Sequence, residues 1–504
     1  MKRIRLLVTS DVHGYVYPYS YANGKKENIG FAKVKAVMDS LKDENTLLLD
    51  NGDVLEGSPL SFYHFHSHAK NVSPMSKAMR LIGYDYVNVG NHDFNYGEEA
   101  LLQHLDTIGA PCITTNWKYK NHSHSYVIRE FEGTRIALFG LVTDYIPHWE
   151  SKEHIKKSEF EDVIQKASSI VHEIRTHENV DYVVCMYHGG FEKSLETGEA
   201  TEDLTGENVA YALLQQVKGI DVLLSGHQHR SLCGKLFDTV YTQTRDKGCE
   251  VGCVDIYPEE NRITSRVIPC ELEADFSLLA SVQDEENACQ SWLDQTLGTA
   301  NVDLSIHDEA DARLHKAQLI TFLNHAVMEA TNADIACNPL FLHATGFQHE
   351  ITMRNLVSTY VYPNTIVVKK ISGKVLKAYL EQDAEFFSVK EDGTICVSEK
   401  FEKPKPQHYN YDMLDGIEYT IKVSNPIGHR IISLTKDGEP IKDDDVFTIA
   451  MNNYRASGGG DYEMLKNAET VKEISAGMVD LLAEYIMKYK VIDFESVDNI
   501  QVIL

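Results

Sequence analysis

The chain has 504 residues, too many for one ordinary hydrophobic core, so two or three domains are expected. Apolar residues make up 43% of the chain and charged residues 24%, as in a soluble globular protein. The net charge of −27 argues against a nucleic-acid partner, although bound metal cations could reverse the local field for a small anionic substrate.

Cysteine use and the N-terminus bear on the compartment. Nine cysteines are scattered without a C-x-x-C pair, a pattern that favours free thiols in a reducing environment. The basic residues at 2–5 precede an apolar stretch of residues 6–8 only, far too short for a signal peptide. No segment approaches transmembrane length. The chain as given is therefore predicted to be cytoplasmic without a membrane partner, or extracytoplasmic if a leader has been removed.

Five predicted strands in the first half of the chain end in polar residues. The strands lie at 4–8, 46–49, 84–89, 182–186 and 221–224, with helices predicted between several of them. The polar residues that follow them are Asp11 and His13, Asp53, Asn91 with His92 and Asp93, His188, and His227 with His229. Because an α/β layered domain places its site at the carboxyl ends of its strands, these side chains are expected to lie together.

The chemistry of this set indicates metal binding. It offers imidazole, carboxylate and carboxamide groups without a thiolate, which suits divalent Mn, Fe, Co or Zn. Eight or so ligands are too many for one ion and fit two ions that share a bridge. Two metals about 3.5–4 Å apart can clamp a phosphate and hold a hydroxide between them. The bridge must be a carboxylate, and Asp53 is the natural choice because it comes alone at its strand end.

The second half of the chain predicts a separate domain. Residues 275–297 are charged, lack Pro and Gly, and are expected to form one connecting helix, followed by a linker at 298–304. Helical and strand patterns then resume. The predicted organisation is an α/β catalytic domain at 1–272, a connecting helix and linker at 273–311, and a smaller α/β domain at 312–504.

The order D-x-H, G-D, G-N-H-D, H and G-H-x-H resembles that of the calcineurin-like metallophosphoesterases. The second half is similar to the C-terminal domain of the 5′-nucleotidase family. Within that family the chain most resembles the 2′,3′-cyclic-nucleotide 2′-phosphodiesterase/3′-nucleotidases, through residues 90–97, 360–364, 409–416 and 452–459. The resemblance implies a four-layer β-sandwich flanked by helices, a 5′-nucleotidase-type substrate-binding domain, and a metal-dependent phosphoric ester hydrolase of nucleotide catabolism.

The resemblance also implies a role for each residue. One metal would take Asp11, His13, Asp53 and His229, and the other would take Asp53, Asn91, His188 and His227. A water that bridges the two metals would attack phosphorus in line. His92 would be the acid or the transition-state stabiliser beside the phosphate, and Asp93 would orient a neighbour.

Departures from the 5′-nucleotidase pattern favour the cyclic branch. Asn95 stands three residues after His92, where many 5′-nucleotidases have a paired carboxylate, and His229 replaces a glutamine found in some of them. Residues 338–343 replace an expected arginine-bearing, glycine-rich segment, which disfavours 5′-phosphates. The implied substrates are nucleoside 2′,3′-cyclic phosphates and 3′-nucleotides. Two alternatives stay open: a 5′-nucleotidase/UDP-sugar hydrolase with the same dimetal site, and a non-catalytic nucleotide-binding protein.

In the second domain the resemblance implies contacts with the rest of a nucleotide substrate. Tyr454 would be one of two aromatic residues that sandwich the base, and its partner would be Tyr409 or Tyr411. Asp461 matches a position that takes ribose hydroxyls. Arg354 is the candidate contact to the phosphate from this domain.

Overall fold

The computed structural model describes residues 3–68, 70–120, 122–123, 125–201, 204–362, 364–403, 405–474 and 477–504. The chain divides into two compact units, Met1–Gln290 and Ser291–Leu504. Both units combine β-sheets with helices, so the α/β class predicted from the sequence is confirmed. Pro363, which lies in the 360–364 motif, is outside the described residues.

The first unit is built from fourteen strands and nine helices within its described residues. The strands are β1 (Ile4–Thr9), β2 (Thr46–Asp50), β3 (Tyr86–Val87), β4 (Trp117–Tyr119), β5 (His122–Ser123), β6 (Val127–Phe131), β7 (Thr134–Val142), β8 (Ser158–Phe160), β9 (Tyr182–His188), β10 (Val222–Ser225), β11 (Leu232–Leu236), β12 (Thr239–Gln243), β13 (Glu250–Tyr257) and β14 (Arg262–Pro269). The helices are α1 (Phe31–Leu41), α2 (Pro59–His68), α3 (Pro74–Ile82), α4 (Glu98–Ile108), α5 (Ile146–Trp149), α6 (Val163–His177), α7 (Ala210–Gln216), α8 (Phe276–Ser281) and α9 (Gln283–Leu293), the last of which runs past the division between the units.

Two sheets pack face to face in this unit. One has the strand order β14-β13-β1-β2-β3 and the other the order β11-β12-β10-β9-β7-β6. Alternate residues of each sheet, such as Leu6 and Leu49 in one and Leu138 and Met186 in the other, form a single buried core between them. The opposite face of the second sheet, including Phe139, packs on α6 and α7, while α1 lies against β13. The result is the expected four-layer arrangement of helices, two sheets and helices.

The direction of the strands determines where the polar residues meet. In the first sheet β1, β2 and β3 are parallel, and in the second sheet β7, β9, β10 and β12 are parallel. Parallel neighbours bring their carboxyl ends to the same edge of a sheet. The loops that follow β1, β2, β3, β9 and β10 are therefore neighbours within this unit.

The second unit is smaller. Its strands are β15 (Thr296–Ala300), β16 (Leu304–Ser305), β17 (Ile335–Pro339), β18 (Gly346–Phe347), β19 (Glu350–Thr352), β20 (Ile366–Ser372), β21 (Phe387–Val389), β22 (Ile395–Val397), β23 (Asp412–Asp415), β24 (Glu418–Lys422), β25 (Ile431–Lys436), β26 (Glu439–Pro440), β27 (Val446–Asn452), β28 (Glu469–Ile474), β29 (Val491–Ile492) and β30 (Ile500–Ile503). Its helices are α10 (Glu309–Leu314), α11 (Gln318–Thr331), α12 (Met353–Thr359), α13 (Gly373–Asp383), α14 (Asn453–Ala456), α15 (Glu463–Lys466) and α16 (Met478–Tyr489).

A mixed sheet forms the centre of the second unit. Its strand order is β23-β17-β27-β20-β28, and α11 lies against β17, β23 and β27 while α13 lies against β20. The strand β23 begins directly after the 409–411 segment, and the short helix α14 begins directly after β27. The sheet therefore holds two of the predicted substrate segments at the ends of its strands.

The predicted connecting helix and linker differ from the structure. Residues 275–297 form two helices, α8 and α9, because the chain leaves helical geometry at Val282 (φ −126°). Part of the predicted linker is strand β15, which pairs with β19 and β29. Pairing with strands distant in sequence overrides the weak local pattern there.

A similar correction applies at residues 159–177, whose amphipathic sequence pattern predicts one long helix. The helix α6 begins only at Val163, because the side chain of Asp162 accepts a hydrogen bond from Gln165 N and caps it. Residues 158–160 form β8, which pairs with β4. Tertiary pairing and a cap thus shorten the helix at its N-terminal end.

Two further observations concern the predicted compartment. All nine cysteines are free thiols. Within the described ranges, the helices are all too short or too polar to cross a membrane.

Candidate metal centre and substrate-binding residues

The loops after β1 and β2 run side by side beyond the end of the sheet. Asp11 N donates a hydrogen bond to Gly52 O at 2.9 Å, and His13 N donates one to Asp53 O at 2.9 Å. Gly90 lies against the same loop, where a Cβ atom would come within 2.1 Å of Asp53 Oδ1. The glycines of the G-D and G-N-H-D motifs are therefore needed for close backbone approach.

Five of the seven predicted metal ligands have an unusual backbone conformation. The φ angles are 58° for Asp11, 51° for His13, 60° for Asp53, 71° for His227 and 56° for His229. Residues other than glycine rarely adopt this left-handed region, and when they do so in a cluster the strain is typical of a functional site. The loops hold these side chains in one place at a cost in backbone energy.

The first group of potential ligands is Asp11, His13 and His229, whose donor atoms all lie within 4.8 Å of one another. His13 Nε2 is 3.1 Å from His229 Nε2, and His229 Nε2 is 3.4 Å from Asp11 Oδ1. His13 Nδ1 lies 3.0 Å from Glu56 O, so it donates to that carbonyl and leaves Nε2 for a cation.

The second group is Asp53, His188 and His227, again with donor atoms within 4.8 Å of one another. His188 Nδ1 donates to Asn51 O at 2.7 Å, which leaves its Nε2 facing Asp53 Oδ2 at 3.2 Å. His227 Nδ1 lies 2.8 Å from the amide oxygen of Asn91. All seven predicted ligands are thus brought together at one edge of the sandwich.

Asp53 belongs to the second group and also lies close to the first. Its Oδ2 atom is 3.2 Å from His188 Nε2 and 3.9 Å from His13 Nε2. Both Asp53 Oδ2 and His188 Nε2 are buried without a well-formed hydrogen bond. Buried polar atoms are costly when they lack a partner, so this arrangement fits a bound cation. The donor set and these buried atoms therefore suit divalent metal ions.

Neighbouring charges shift the pKa values of this site. Burial would raise the pKa of Asp53, but the imidazoles of His188, His92 and His13 hold it well below its usual range. Burial lowers the pKa of His13 to about 4 and raises that of Glu56 to about 7. His13 is therefore neutral at pH 7, as a metal ligand must be.

His92 and Asp93 occupy a short 3₁₀ turn, His92–Phe94, anchored by the fully buried ring of Phe94. His92 N donates to Asp53 Oδ1 at 2.8 Å, and the rings of His92 and His13 are 5.4 Å apart. Burial would lower the pKa of His92, but Asp53 and Glu56 raise it above its ordinary value. His92 is thus beside the ligand groups without belonging to either.

Asp93 has a structural role in this geometry. Its two carboxylate oxygens accept hydrogen bonds from four backbone N–H groups, those of Asp53, Val54, Leu55 and Gly90, at 2.8–3.0 Å. It therefore fixes the loop that carries Asp53 to the loop that carries His92. The expected role of Asp93, to orient a neighbour, stays a prediction.

Three acidic residues near the site were missed by the sequence analysis. Glu56 Oε2 is 3.4 Å from His92 Nδ1, Glu207 Oε1 is 2.8 Å from His227 Nε2, and Glu150 bonds to Asn95. A lone carboxylate between Leu55 and Gly57 could have drawn attention to Glu56. Glu207 and Glu150 lie in polar segments far from the motifs, and no local pattern distinguishes them.

In the second unit, the three candidate tyrosines differ in exposure. Tyr411 is fully buried and its ring stacks on Phe386 with centroids 4.7 Å apart, so it belongs to the core. Tyr409 and Tyr454 have ring centroids 6.2 Å apart at an interplanar angle of 73°. Of the two alternatives, Tyr409 is therefore the one placed beside Tyr454.

The other two predicted substrate residues lie in different parts of the second unit. Arg354, on α12, donates to Asp294 Oδ1 at 2.6 Å. Asp461 follows the glycine run of residues 458–460, is exposed, and has a φ angle of 69°. Asp461 is thus an exposed residue of the segment that follows Tyr454 in the chain, whereas Arg354 forms an ion pair with Asp294.

Two family models match the chain. The model for the calcineurin-like phosphoesterase matches residues 4–231, and the model for the 5′-nucleotidase C-terminal domain matches residues 296–467. The chain belongs to the calcineurin-like phosphoesterases that carry a 5′-nucleotidase C-terminal domain, and it is a phosphoester hydrolase.

The chain is similar to several individual proteins of this family. A crystal structure of a putative 5′-nucleotidase from Staphylococcus aureus, in complex with alpha-ketoglutarate, is 33% identical, with a TM-score of 0.95 and 100% of both chains covered. The 2′,3′-cyclic-nucleotide 2′-phosphodiesterase/3′-nucleotidase of Salmonella typhimurium is 25% identical over 90% of this chain and 81% of its own length. The trifunctional nucleotide phosphoesterase protein YfkN of Bacillus subtilis is 24% identical over 98% of this chain, which spans only 38% of YfkN.

Proposed function

We propose that this protein hydrolyses nucleoside 2′,3′-cyclic phosphates and 3′-nucleotides with two divalent metal ions. One observation carries the metal-dependent chemistry: Asp53 Oδ2 and His188 Nε2 are both buried and lie 3.2 Å apart, and neither makes a well-formed hydrogen bond. They lie where the two groups of donor atoms adjoin. A cation there would satisfy both atoms at once.

The residues that would hold the metals fall into two sets sharing one carboxylate. The first set is Asp11, His13, Asp53 and His229, and the second is Asp53, Asn91, His188 and His227. Ions such as Mn, Zn, Co or Fe would supply an activated water and neutralise charge on the phosphate.

The remaining residues of the site would act on the substrate or on its surroundings. His92 would donate a proton to the leaving oxygen, or a hydrogen bond to the phosphoryl oxygens, as negative charge develops. Its backbone N–H holds Asp53 in place at 2.8 Å. Asp93 keeps the two loops in register through its four backbone hydrogen bonds. In the second unit, Tyr454 and Tyr409 would take the base, Asp461 the ribose, and Arg354 the phosphate.

The choice of substrate is supported by two residues and by one of the relatives. Asn95 follows His92 where the 5′-nucleotidase pattern has a carboxylate, and His229 replaces a glutamine. The Salmonella relative is named as a cyclic phosphodiesterase and 3′-nucleotidase. These features favour the cyclic and 3′-phosphate substrates.

A second candidate is a 5′-nucleotidase or nucleotide-sugar hydrolase that uses the same ligands. It is favoured by the Staphylococcus aureus relative, which is described as a putative 5′-nucleotidase and matches the whole chain at 33% identity. The two candidates differ in which bond is hydrolysed: that of a 2′,3′-cyclic or 3′-phosphate in the first, and that of a 5′-phosphate or nucleotide-sugar in the second.

The experiment that separates them measures phosphate release from a substrate panel. Chelator-stripped protein is supplied with Mn, Co, Zn or Mg and assayed with 2′,3′-cyclic AMP, 3′-AMP, 5′-AMP and UDP-glucose. We expect the highest kcat/KM with 2′,3′-cyclic AMP and 3′-AMP. A higher value with 5′-AMP or UDP-glucose would replace the first proposal with the second.

A single substitution tests whether the site is catalytic at all. His92→Ala should nearly abolish turnover while the metal content stays that of the wild type, because His92 is not a ligand. A wild-type rate in this variant would show that the assigned chemistry is wrong. Nucleotide binding without metal-dependent phosphate release would identify a non-catalytic binding protein instead.

A further inference from the structure

We propose that Glu150 is a positioning residue for His92 and acts through the side-chain amide of Asn95. The inference rests on the proposed catalytic role of His92. Three side chains form a continuous hydrogen-bonded chain that leads from the site to the segment after α5. His92 Nδ1 lies 2.7 Å from Asn95 Oδ1, and Asn95 Nδ2 lies 2.7 Å from Glu150 Oε2.

The carboxylate of Glu150 gives this chain its direction. A carboxylate can only accept hydrogen bonds, so the atom of Asn95 that faces it must be the NH₂ group. The amide oxygen of Asn95 then faces His92, and an oxygen of this kind can only accept. His92 Nδ1 must therefore carry the proton, which leaves Nε2 as the nitrogen able to exchange a proton with a substrate.

Glu150 is itself held firmly. Its other oxygen, Oε1, accepts a hydrogen bond from Ser151 N at 2.7 Å and one from His154 Nδ1 at 2.8 Å. Its side chain is only 8% exposed. Its backbone N–H donates to Ile146 O and so closes the last turn of α5. A carboxylate held by two donors besides Asn95 cannot easily turn away from it.

A second acceptor faces the same nitrogen of His92. Glu56 Oε2 lies 3.4 Å from His92 Nδ1, against 2.7 Å for the amide oxygen of Asn95. Both acceptors favour the same tautomer, but only the shorter contact has hydrogen-bond geometry. The amide therefore sets the orientation of the ring, and Glu150 sets the orientation of the amide.

The loss of such an indirect partner should reduce activity less than the loss of His92. For groups that orient a functional histidine, a 10- to 100-fold effect is typical. Glu150→Ala should therefore lower kcat roughly 10- to 100-fold with little change in KM, and Glu150→Gln should lower it less, because the shape of the side chain is kept. Glu153→Ala is the matched control, since Glu153 lies in the same segment with a side chain that is 79% exposed.

A double-mutant cycle and a rescue test separate positioning from simple stability. In a His92→Ala background, Glu150→Ala should cause no further loss, because the residue it positions is gone. Asn95→Asp in the Glu150→Ala background should recover activity, because a carboxylate at that position accepts from His92 Nδ1 directly. Metal content and the thermal unfolding midpoint are measured for each variant.

The outcomes distinguish this inference from the proposed function. If His92→Ala keeps the wild-type rate, the proposed function fails. If His92→Ala is inactive but both Glu150 variants match the wild type, only the positioning role fails. An equal loss from Glu150→Ala in both backgrounds, or no recovery with Asn95→Asp, would also overturn it.

Discussion

Two of the buried polar clusters among the described residues balance their charge in different ways. In the first unit, Asp11 and Asp53 lie next to imidazoles, and Asp53 Oδ2 and His188 Nε2 have no well-formed hydrogen bond. In the second unit, the buried Asp412 lies next to a permanent cation, since Arg455 Nε donates to Asp412 Oδ2 at 2.5 Å.

The second cluster also ties together the segments that carry the candidate base-binding residues. Arg455 Nη2 donates to Tyr409 O at 3.2 Å, and its guanidinium lies 3.8 Å from the ring centroid of Tyr462. Tyr379 OH donates to Asp412 Oδ2 at 2.6 Å. Burial would lower the pKa of Arg455, but Asp412 and the surrounding groups keep it well above its usual value.

From this difference we expect the first cluster to depend on bound cations and the second cluster to be independent of them. The second cluster contains its own cation and can form as the chain folds. The first cluster gathers carboxylates and imidazoles on strained loops, and we expect cations from outside to bind the atoms there that lack a well-formed hydrogen bond. Substitutions in the first cluster should therefore reduce metal binding, and substitutions in the second cluster should reduce the stability of the fold.

The largest effect is expected at the shared carboxylate of the first cluster. Asp53→Asn should reduce turnover about 1000-fold or more and lower the metal content, because one ligand would be lost to both ions. Elemental analysis and phosphate release check this. The control is Asp50→Asn, which changes a neighbouring buried carboxylate outside both ligand groups. Equal metal content in the wild type and Asp53→Asn would contradict the account.

In the second cluster the expected effect falls on stability. Arg455→Met should destabilise the fold by about 3–5 kcal/mol, because it leaves Asp412 buried without its cation. The metal content of the protein that remains folded should stay unchanged. Urea unfolding measures the loss, and the double variant Arg455→Met, Asp412→Leu should recover part of it. If the single variant is as stable as the wild type, the cluster does not depend on its cation.

A smaller effect is expected at the candidate base-binding residues. Tyr454→Ala should weaken substrate binding by about 1–3 kcal/mol, seen as a higher KM for nucleotides, because a stacking partner is removed. Hydrolysis of p-nitrophenyl phosphate, which has no base, should be unaffected. Tyr411→Phe is the control, since Tyr411 is buried against Phe386. An equal change with both substrates would argue against base stacking.

The last prediction concerns the pH dependence of stability. Burial raises the pKa of Asp50 from 3.8 to about 8. Between these values the folded chain holds a proton that the unfolded chain has lost, so this group makes the protein less stable as pH rises from about 4 to about 8. Asp50→Asn should flatten that decline in chelator-stripped protein. Thermal unfolding at pH 5 and pH 8 tests it, and an unchanged difference would contradict the assignment.

In the first region, the sequence predicted the residues at the strand ends better than the residues that support them. Strand ends with Asp11, Asp53 and His188 could be recognised because a metal site at the carboxyl ends of parallel strands needs short motifs directly after each strand. Glu150 could not be recognised, because it acts across 55 residues through Asn95. Contacts of this kind depend on how loops pack, which local patterns do not encode.

The connecting region shows the same limit in the fold. Residues 275–297 have the composition of a helix, yet β15 begins at Thr296 because β19 and β29 are available to pair with it. Likewise, Tyr411 is fully buried whereas Tyr409 is only partly buried, although the two tyrosines are two residues apart. Local periodicity indicates the type of element, whereas the tertiary partner decides its end and the role of its side chains.

The most direct test of the central claim is the metal stoichiometry of the wild type compared with single-ligand variants. Chelator-stripped protein is titrated with Mn or Zn, and bound metal is counted per chain together with phosphate release. We expect two ions per wild-type chain, a lower count in His229→Ala and in His188→Ala, and activity that requires both ions. Full activity with one ion or none, or a wild-type count in both variants, would contradict the claim.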